Sequence, residues 1–318
     1  MKVLITGRLP EDLLVRVRLE HEVIVNERDE PMSRNEILRH CAEIHGLLCM
    51  VTDVIDAHLI KTSPNLKMIA NYGVGYDNID IPAATSAGIK VSNTPGVLTD
   101  ATADLTLALI LAVARRLVEG DKLVRAGRFH KWSPMTFLGR DVSGKTLGII
   151  GLGRIGKAVA RRARAFDMRI LYHNRHRLSA EEEHALSVTY ADLKSLISES
   201  DFVSLHVNLT HETRHLIGSE ELALMKPSAY LINASRGPVV DEKALVRALS
   251  EGLLAGAGLD VFENEPELAP GLADFDNVVI VPHIGSATVE TRYKMAAVAV
   301  ENLMAGLRGD TPPNCLNC

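Results

Sequence analysis

The sequence predicts an α/β protein with two doubly wound units, each built on a parallel sheet covered by helices. Short apolar runs alternate with amphipathic segments along the chain, which is typical of strands joined in parallel through crossover helices. The chain has 318 residues, and a single hydrophobic core rarely grows past roughly 250–300 residues. Two domains are therefore expected.

The N-terminal third is predicted to form the first sheet. Its short apolar runs lie at residues 3–6, 22–26, 46–50, 66–71 and 89–93. The segments between them, such as 11–20, 34–41 and 53–62, are amphipathic and predict helices.

A long helix of about twenty residues is predicted to follow. Pro95 and Gly96 break the preceding strand, and Thr99 or Asp100 can cap the helix. A less regular stretch rich in Gly and Arg covers 119–145. Strands of a second sheet are then predicted at 146–150, 169–173, 202–207, 229–234, 257–262 and 277–282.

A last amphipathic helix at 287–306 can return to the first unit. We therefore predict a discontinuous first domain of residues 1–98 and 287–318. Residues 99–286 are predicted to form the second domain.

Composition excludes several classes of function. A net charge of −5 gives no support to nucleic-acid binding. The N-terminus has acids too early for a signal peptide, and the longest apolar stretch, 105–114, is too short to span a bilayer. A cytoplasmic protein without a membrane partner is expected. The four cysteines, at 41, 49, 315 and 318, are interpreted as incidental thiols, and no metal site is predicted.

A glycine-rich loop, GLGRIG at 151–156, lies between a predicted strand and a predicted helix. In that context the pattern indicates a dinucleotide site, with a turn that binds no ligand as the alternative. Gly151 permits the tight turn, Gly153 lets the backbone approach a pyrophosphate, and Gly156 lets the helix pack on the strand. The first N–H groups of the helix then face the anion.

The second strand of this unit ends in ILYHNRHR at 170–177, where NAD-binding proteins usually carry an acid for the ribose. No acid is present. Asn174 and Arg175 are instead predicted to hold a 2′-phosphate, with help from Arg177, which favours NADPH over NADH. The alternative is that these bases are simply solvated at a strand end.

Three polar segments follow later strands, at 232–242, 258–266 and 281–288. Their Arg236, Glu265 and His283 are expected to converge, because ligands bind beyond the carboxyl ends of parallel strands. Together they suit reduction of a 2-keto acid, with arginine for the substrate and a carboxylate-paired histidine as proton donor. Each also has a simpler interpretation when taken singly. Arg236 can be a surface charge, Glu265 a solvated acid in a loop, and His283 a core histidine whose hydrogen bonds are made within the protein.

The chain resembles the D-isomer-specific 2-hydroxyacid dehydrogenases through six ordered segments: NYGVGYDNID, TDATADLTLALILA, GKTLGIIGLGRIGKAVARR, INASRGPVVDE, AGLDVFENEP and VPHIGSATVETR. Within that family it is most similar to the glyoxylate/hydroxypyruvate reductases and the 2-ketogluconate reductases. The resemblance covers nearly the whole chain. It implies that residues 99–286 form a Rossmann dinucleotide-binding domain and that residues 1–98 and 287–318 form a flavodoxin-like substrate-binding domain, with the active site in the interdomain cleft.

The resemblance also implies roles for single residues. His283 falls on the general acid and base, Glu265 on its partner, and Arg236 on the substrate-orienting arginine. Backbone N–H groups around Val74 and Gly75 fall on the contacts to the substrate carboxylate. Further cofactor contacts fall on Thr102, Arg154, Ile155, Val207, Thr213, Ala234, Asp260, His283 and Gly285. Helix capping by Thr102 and an ordinary strand-end role for Asp260 remain as alternatives.

Trp132 is the only tryptophan and lies in the irregular stretch. In related reductases such an arm packs on a second subunit and its tryptophan can reach the neighbour's site, so a homodimer and a substrate contact by Trp132 are implied. The alternative is burial of Trp132 in the core of its own subunit.

The expected activity is NADPH-dependent reduction of a small 2-keto acid to the D-2-hydroxy acid. Glyoxylate and hydroxypyruvate are the expected substrates, and 2-keto-D-gluconate is a further candidate. One alternative is an NAD-dependent dehydrogenase of another 2-hydroxy acid, such as 3-phosphoglycerate, although the missing acid argues against it. The other is a corepressor that binds a dinucleotide and recruits partner proteins.

Overall fold

The computed structural model describes residues 1–318, and the chain divides into two compact units. The first unit comprises residues 1–98 and 287–318, and the second comprises residues 99–286. Each contains one sheet whose strands all pair in parallel. These two sheets with interleaved helices confirm the predicted α/β class.

The sheet of the first unit has five strands in the spatial order β2-β1-β3-β4-β5, which is the flavodoxin-like order. Side chains of Ser33, Asp56 and Asp80 cap the helices that follow β2, β3 and β4. The strands are β1 (Lys2–Ile5), β2 (Glu22–Val25), β3 (Gly46–Met50), β4 (Met68–Tyr72) and β5 (Lys90–Ser92), and the helices are α1 (Glu11–Arg18), α2 (Arg34–His40), α3 (Ala57–Lys61) and α4 (Ile81–Ser86).

The second unit begins with α5 (Thr99–Ala114) and α6 (Leu117–Arg125). The prediction of one helix of about twenty residues was wrong, because Arg116 adopts a left-handed φ of 53° and interrupts it. The break is held in place: Arg116 pairs with Glu119, and the N–H of Arg140 donates to the carbonyl of Ala114 at 2.7 Å.

The sheet of the second unit has seven strands in the order β12-β11-β10-β9-β6-β7-β8. Apolar side chains cover both faces of this sheet. Leu231 and Ile232 are consecutive residues of β10, so they point to opposite faces, and they pack in separate apolar clusters. The strands are β6 (Thr146–Ile150), β7 (Arg169–His173), β8 (Thr189–Tyr190), β9 (Phe202–Leu205), β10 (Tyr230–Asn233), β11 (Gly256–Leu259) and β12 (Val278–Ile280), and the helices between them are α7 (Arg154–Ala163), α8 (Ala180–Leu186), α9 (Leu193–Glu199), α10 (Ser219–Leu224) and α11 (Glu242–Ser250).

The direction of chain progression in this sheet reverses between β6 and β9. Ligands of doubly wound sheets bind at such a reversal, beyond the carboxyl ends of the strands. The glycine-rich loop follows β6, and Val207 lies just after β9, so both lie at the expected place.

The last helix, α12 (Val289–Arg308), belongs to the first unit and packs on β3 and β4. Two glycines make the close approach possible. A Cβ on Gly306 would lie 2.4 Å from the sulfur of Met68, and a Cβ on Gly46 would lie 3.0 Å from Leu303. The helix is therefore part of the core of this unit.

The last residues form a short segment beside β5. Cys315 forms an isolated antiparallel β-bridge with Ser92, and the N–H of Leu316 donates to the carbonyl of Val91 at 2.7 Å. Cys315 and Cys318 form a disulfide bond. Their interpretation as incidental thiols was therefore wrong, because the turn of this segment brings the two side chains together. Cys41 and Cys49 are free and buried.

Candidate active site

Three loops meet at one edge of the second sheet because β10, β11 and β12 are parallel neighbours. Arg236 follows β10, Glu265 lies in the loop after β11, and His283 follows β12. The three residues that the sequence analysis singled out for chemistry are thus presented from the same side of the same sheet.

His283 and Glu265 form a hydrogen-bonded pair. The distance from Nδ1 of His283 to Oε2 of Glu265 is 2.9 Å, and the other carboxylate oxygen accepts the N–H of Phe262 at 3.1 Å. Burial works to raise the pKa of Glu265, but the hydrogen bond and charge of His283 outweigh it and lower the pKa, with a smaller effect from Arg236. An ionised carboxylate only accepts hydrogen bonds, so Nδ1 carries the proton and Nε2 is left for a ligand.

The backbone at His283 is held in an uncommon conformation, with φ at 51°. Asp260, at the end of β11, holds it there. Its carbonyl accepts the N–H of His283 at 2.8 Å, and its carboxylate accepts the N–H groups of Ile284 at 2.6 Å and Gly285 at 2.8 Å. Burial raises the pKa of Asp260 against these hydrogen bonds. The carboxylate of Asp260 therefore orients the loop that carries the histidine.

Arg236 is half-buried, and its Nη1 donates to the carbonyl of Ser235 at 2.9 Å. The side chain of Asn233 in turn donates to the carbonyl of Arg236 at 3.0 Å. The next residue must be glycine, since a Cβ on Gly237 would lie only 1.7 Å from the carbonyl oxygen of Phe262. This close contact joins the arginine loop to the loop of Glu265.

The glycine-rich loop has the geometry that a dinucleotide requires. Gly151 has a φ of 96°, and a Cβ on Gly156 would lie 2.3 Å from the carbonyl oxygen of Gly151. Gly153 instead faces open space and begins α7 without any side-chain cap. The N–H groups of Arg154 and Ile155 are thus available to a pyrophosphate at the positive end of the helix.

The residues after β7 have different tasks. Oδ1 of Asn174 accepts the N–H of Leu152 at 2.6 Å, so this side chain supports the glycine-rich loop. Arg175 is exposed and forms no ion pair. The help expected from Arg177 does not fit the structure, because its guanidinium makes two hydrogen bonds to Glu183, at 2.7 and 2.8 Å.

The other predicted cofactor residues line the same edge of the second sheet. Thr102 is buried and lies within 3.5 Å of the Cβ position of Gly285, and Val207 packs against Gly151. Ala234 is buried at the end of β10. Thr213 closes its own loop by donating to the carbonyl of Asn208 at 2.6 Å.

Val74 and Gly75 lie in the first unit, in the loop after β4. Trp132 lies in the segment after α6 and is 78% exposed. The alternative of core burial for Trp132 is therefore wrong. In this chain the tryptophan faces outward.

One supporting residue was missed by the sequence analysis. Glu242 is buried at the start of α11, and its carboxylate accepts the N–H groups of Glu263 at 2.6 Å and Ala269 at 3.1 Å. It therefore spans the loop that contains Glu265, and burial raises its pKa. An acid in the first turn of a helix is common because it stabilises the helix, so the sequence gives no sign that Glu242 also holds the loop of Glu265.

The known proteins that this chain resembles are D-2-hydroxyacid dehydrogenases. A sequence model of the D-isomer specific 2-hydroxyacid dehydrogenase NAD binding domain matches residues 107–285. A glyoxylate reductase of Thermococcus litoralis is 52% identical over 99% of this chain and 96% of its own length.

No helix here has the length and apolar character needed to cross a bilayer.

Solved structures agree with the sequence relatives. The TT0316 protein of Thermus thermophilus superposes with a TM-score of 0.92 and 49% identity, over 99% of this chain and all of that one. An NADPH-dependent glyoxylate/hydroxypyruvate reductase of Sinorhizobium meliloti, in complex with NADP and malonate, superposes with a TM-score of 0.85 and 34% identity over 99% and 96% of the two chains.

Proposed function

This chain belongs to the D-isomer-specific 2-hydroxyacid dehydrogenase family, and we propose that it reduces glyoxylate and hydroxypyruvate with NADPH. The observation that carries the proposal is the His283–Glu265 pair beside Arg236, at the edge of the sheet that also holds the glycine-rich loop. Such a pair suits a carbonyl that must gain a proton as it gains a hydride. The choice of glyoxylate follows the curated relatives.

Bound NADPH supplies the hydride for the carbonyl carbon. Nε2 of His283 donates the proton to the carbonyl oxygen, which becomes the hydroxyl of the product, and the imidazole is then reprotonated from water. The carboxylate of Glu265 stabilises the protonated imidazole before the transfer and keeps the ring oriented throughout. The imidazole ring of His283 therefore does not have to rotate in order to donate its proton.

The substrate is held by its charge and by its carbonyl group. The guanidinium of Arg236 offers a positive charge and a planar set of donors to a 2-keto acid. The N–H groups of Val74 and Gly75 bind the substrate carboxylate in this proposal. In support, neither N–H donates to any protein group.

NADPH is the proposed cofactor because Asn174 and Arg175 stand where an acid would exclude a 2′-phosphate. The NH₂ group of Asn174 makes no hydrogen bond to the protein, and Arg175 is exposed without an ion pair. Both are therefore available to a phosphate.

Replacing Arg175 with alanine is expected to lower the ratio of kcat/KM for NADPH to that for NADH by about ten- to hundredfold, the loss of a charged hydrogen bond. Steady-state kinetics with both cofactors measures it. Arg177→Ala is the matched control, since that guanidinium is occupied by Glu183. A ratio that stays the same in Arg175→Ala contradicts the assignment.

A substrate panel tests the function itself. Glyoxylate, hydroxypyruvate, pyruvate, 2-ketogluconate and 3-phosphohydroxypyruvate are compared with NADPH and NADH. We expect the highest kcat/KM with NADPH and one of the first two acids, whose difference of one carbon is worth only about 1–3 kcal/mol. Absence of turnover with all five overturns the proposal, and a clear preference for NADH overturns its cofactor.

We also propose that two copies of the chain associate through the segment around Trp132. Outward-facing apolar side chains are concentrated there and on α6, which has no buried residue. Contiguous exposed apolar surface of this kind marks an interface. The exposed side chains are Leu117, Val118, Val124, Phe129, Trp132, Met135, Phe137 and Leu138.

Light scattering after gel filtration is expected to give the mass of two chains. The double variant Trp132→Ala with Met135→Ala is expected to shift the protein toward the mass of one chain at micromolar concentration, because the side chains it removes are 78% and 77% exposed in a single chain. Leu19→Ala is the control, since Leu19 is 80% exposed in the other unit. An unchanged mass in the double variant assigns the interface elsewhere.

A further inference from the structure

We propose that Asn71 and Asn93 are positioning residues for the substrate. The side-chain amide of Asn93 holds the carbonyl of Val74 and so directs the N–H of Gly75 at the substrate carboxylate, and that of Asn71 holds the carbonyl of Gly75, which fixes the peptide on the other side of the same residue. This inference rests on the proposed function, since it assigns a task to two residues that act through the substrate-binding loop rather than on the substrate itself.

Three consecutive carbonyl groups of the loop are each held by a donor. The carbonyl of Gly73 accepts the N–H of Thr94 at 2.9 Å. The carbonyl of Val74 accepts Nδ2 of Asn93 at 2.8 Å, and the carbonyl of Gly75 accepts Nδ2 of Asn71 at 2.6 Å. No carbonyl in this stretch is left to turn freely.

Holding a carbonyl also fixes the next N–H group. In a trans peptide the C=O and the N–H that follows point in opposite directions in one plane, and the only cis peptide in the chain is Glu265–Pro266. The bond from Thr94 to Gly73 therefore directs the N–H of Val74, Asn93 directs the N–H of Gly75, and Asn71 fixes the peptide that follows Gly75. Neither N–H has a protein acceptor, so each points away from the donors that hold the loop.

The two asparagines are themselves held in place. Asn71 is fully buried, and its Oδ1 accepts Nδ2 of Asn78 at 3.4 Å. Asn93 is 7% exposed, and its backbone carbonyl accepts Nδ2 of the buried Asn302 at 3.0 Å. A buried amide with a partner does not reorient readily, and the bond from Asn302 anchors the backbone that carries the amide of Asn93, so the loop is oriented before a substrate arrives.

The backbone of the loop also fits closely against the end of β3. A Cβ on Gly73 would lie 2.2 Å from Cγ1 of Val51. The loop cannot move toward the sheet, and the amide donors prevent its peptide planes from turning. This combination is what a carboxylate site made of N–H groups needs, because such a site has no charged side chain to compensate for poor geometry.

The test is a pair of nearly isosteric variants, Asn71→Asp and Asn93→Asp. Each replaces a donor by an acceptor that repels the loop carbonyl. The KM for glyoxylate is expected to rise about tenfold in each, from the loss of one buried hydrogen bond, while the KM for NADPH changes little. Asn93→Ala, which removes the donor without adding a charge, is the second variant if the aspartates do not fold.

Asn26→Asp is the matched control. Asn26 is also buried in the first unit, and its amide donates to the carbonyls of Thr6 at 3.1 Å and Glu30 at 2.9 Å. It is expected to lower the melting temperature without raising the KM for glyoxylate. If the Asn71 and Asn93 variants behave like this control, their role is only structural and the inference is overturned.

Calorimetry with oxamate in the presence of NADP⁺ measures carboxylate binding without turnover. A raised Kd for oxamate in the Asn71 and Asn93 variants supports the inference, and an unchanged Kd overturns it. Failure of the proposed function has a different signature, which is a wild-type protein that reduces none of the five keto acids.

Discussion

Replacing His283 with alanine is expected to lower kcat for glyoxylate reduction by about 10²–10⁴-fold, the usual contribution of a general acid. The variant removes the proposed proton donor to the carbonyl oxygen, and it leaves Glu265 without its partner at 2.9 Å. Steady-state kinetics measures the loss. The melting temperature and the Kd for NADPH establish that the variant is folded and still binds its cofactor.

A second histidine–carboxylate pair in the same unit provides the control. Nε2 of His215 lies 2.6 Å from Oε1 of Glu263. His215 is exposed and does not follow β10, β11 or β12, whose ends present the candidate site, so His215→Ala is expected to keep most of the activity. A kcat close to the wild-type value in His283→Ala contradicts the assignment of the proton donor.

Replacing Arg236 with leucine is expected to lower kcat/KM for glyoxylate by about 10²–10³-fold, as the loss of one strong donor to a reacting oxygen does. The charge is proposed to bind the keto acid, and it also helps to lower the pKa of Glu265. The kcat/KM of Arg236→Lys is expected to lie between those of the wild type and Arg236→Leu, because lysine keeps the charge but has no planar set of donors.

Arg247→Leu is the control for charge and size in the same unit. Arg247 lies on α11, and its Nη2 donates only to Oγ of Ser219, at 3.1 Å. Its loss is expected to leave kcat/KM near the wild-type value. Equal effects of the two leucine variants would indicate that Arg236 acts only through the net charge or the stability of the unit.

The positions of the candidate site residues could be predicted because their sequence neighbours constrain them. Gly151, Gly153 and Gly156 form a spacing with one physical explanation, and the segments of Arg236, Glu265 and His283 each follow an apolar run. Parallel pairing then brings the carboxyl ends of those runs together. The fold class followed from the same alternation of strands and helices.

What the sequence did not disclose depends on contacts between residues far apart in the chain. Asn93 reaches the carbonyl of Val74, and Asn302 reaches Asn93 across more than two hundred residues. The break at Arg116 is likewise stabilised by Arg140 and Leu138. Local pattern carries no trace of such partners, because any asparagine in a loop or helix is compatible with a solvent-facing side chain.

The return of α12 to the first unit sets an order for folding during synthesis. Domains generally fold as units while the chain emerges, the N-terminal one first. Here the whole sequence of the second unit, 99–286, is synthesised before α12. The face of β3 and β4 that Leu303 and Gly306 will cover is uncovered for all of that time. The first unit therefore cannot complete its apolar core until α12, which follows the whole second unit in the chain, has been synthesised.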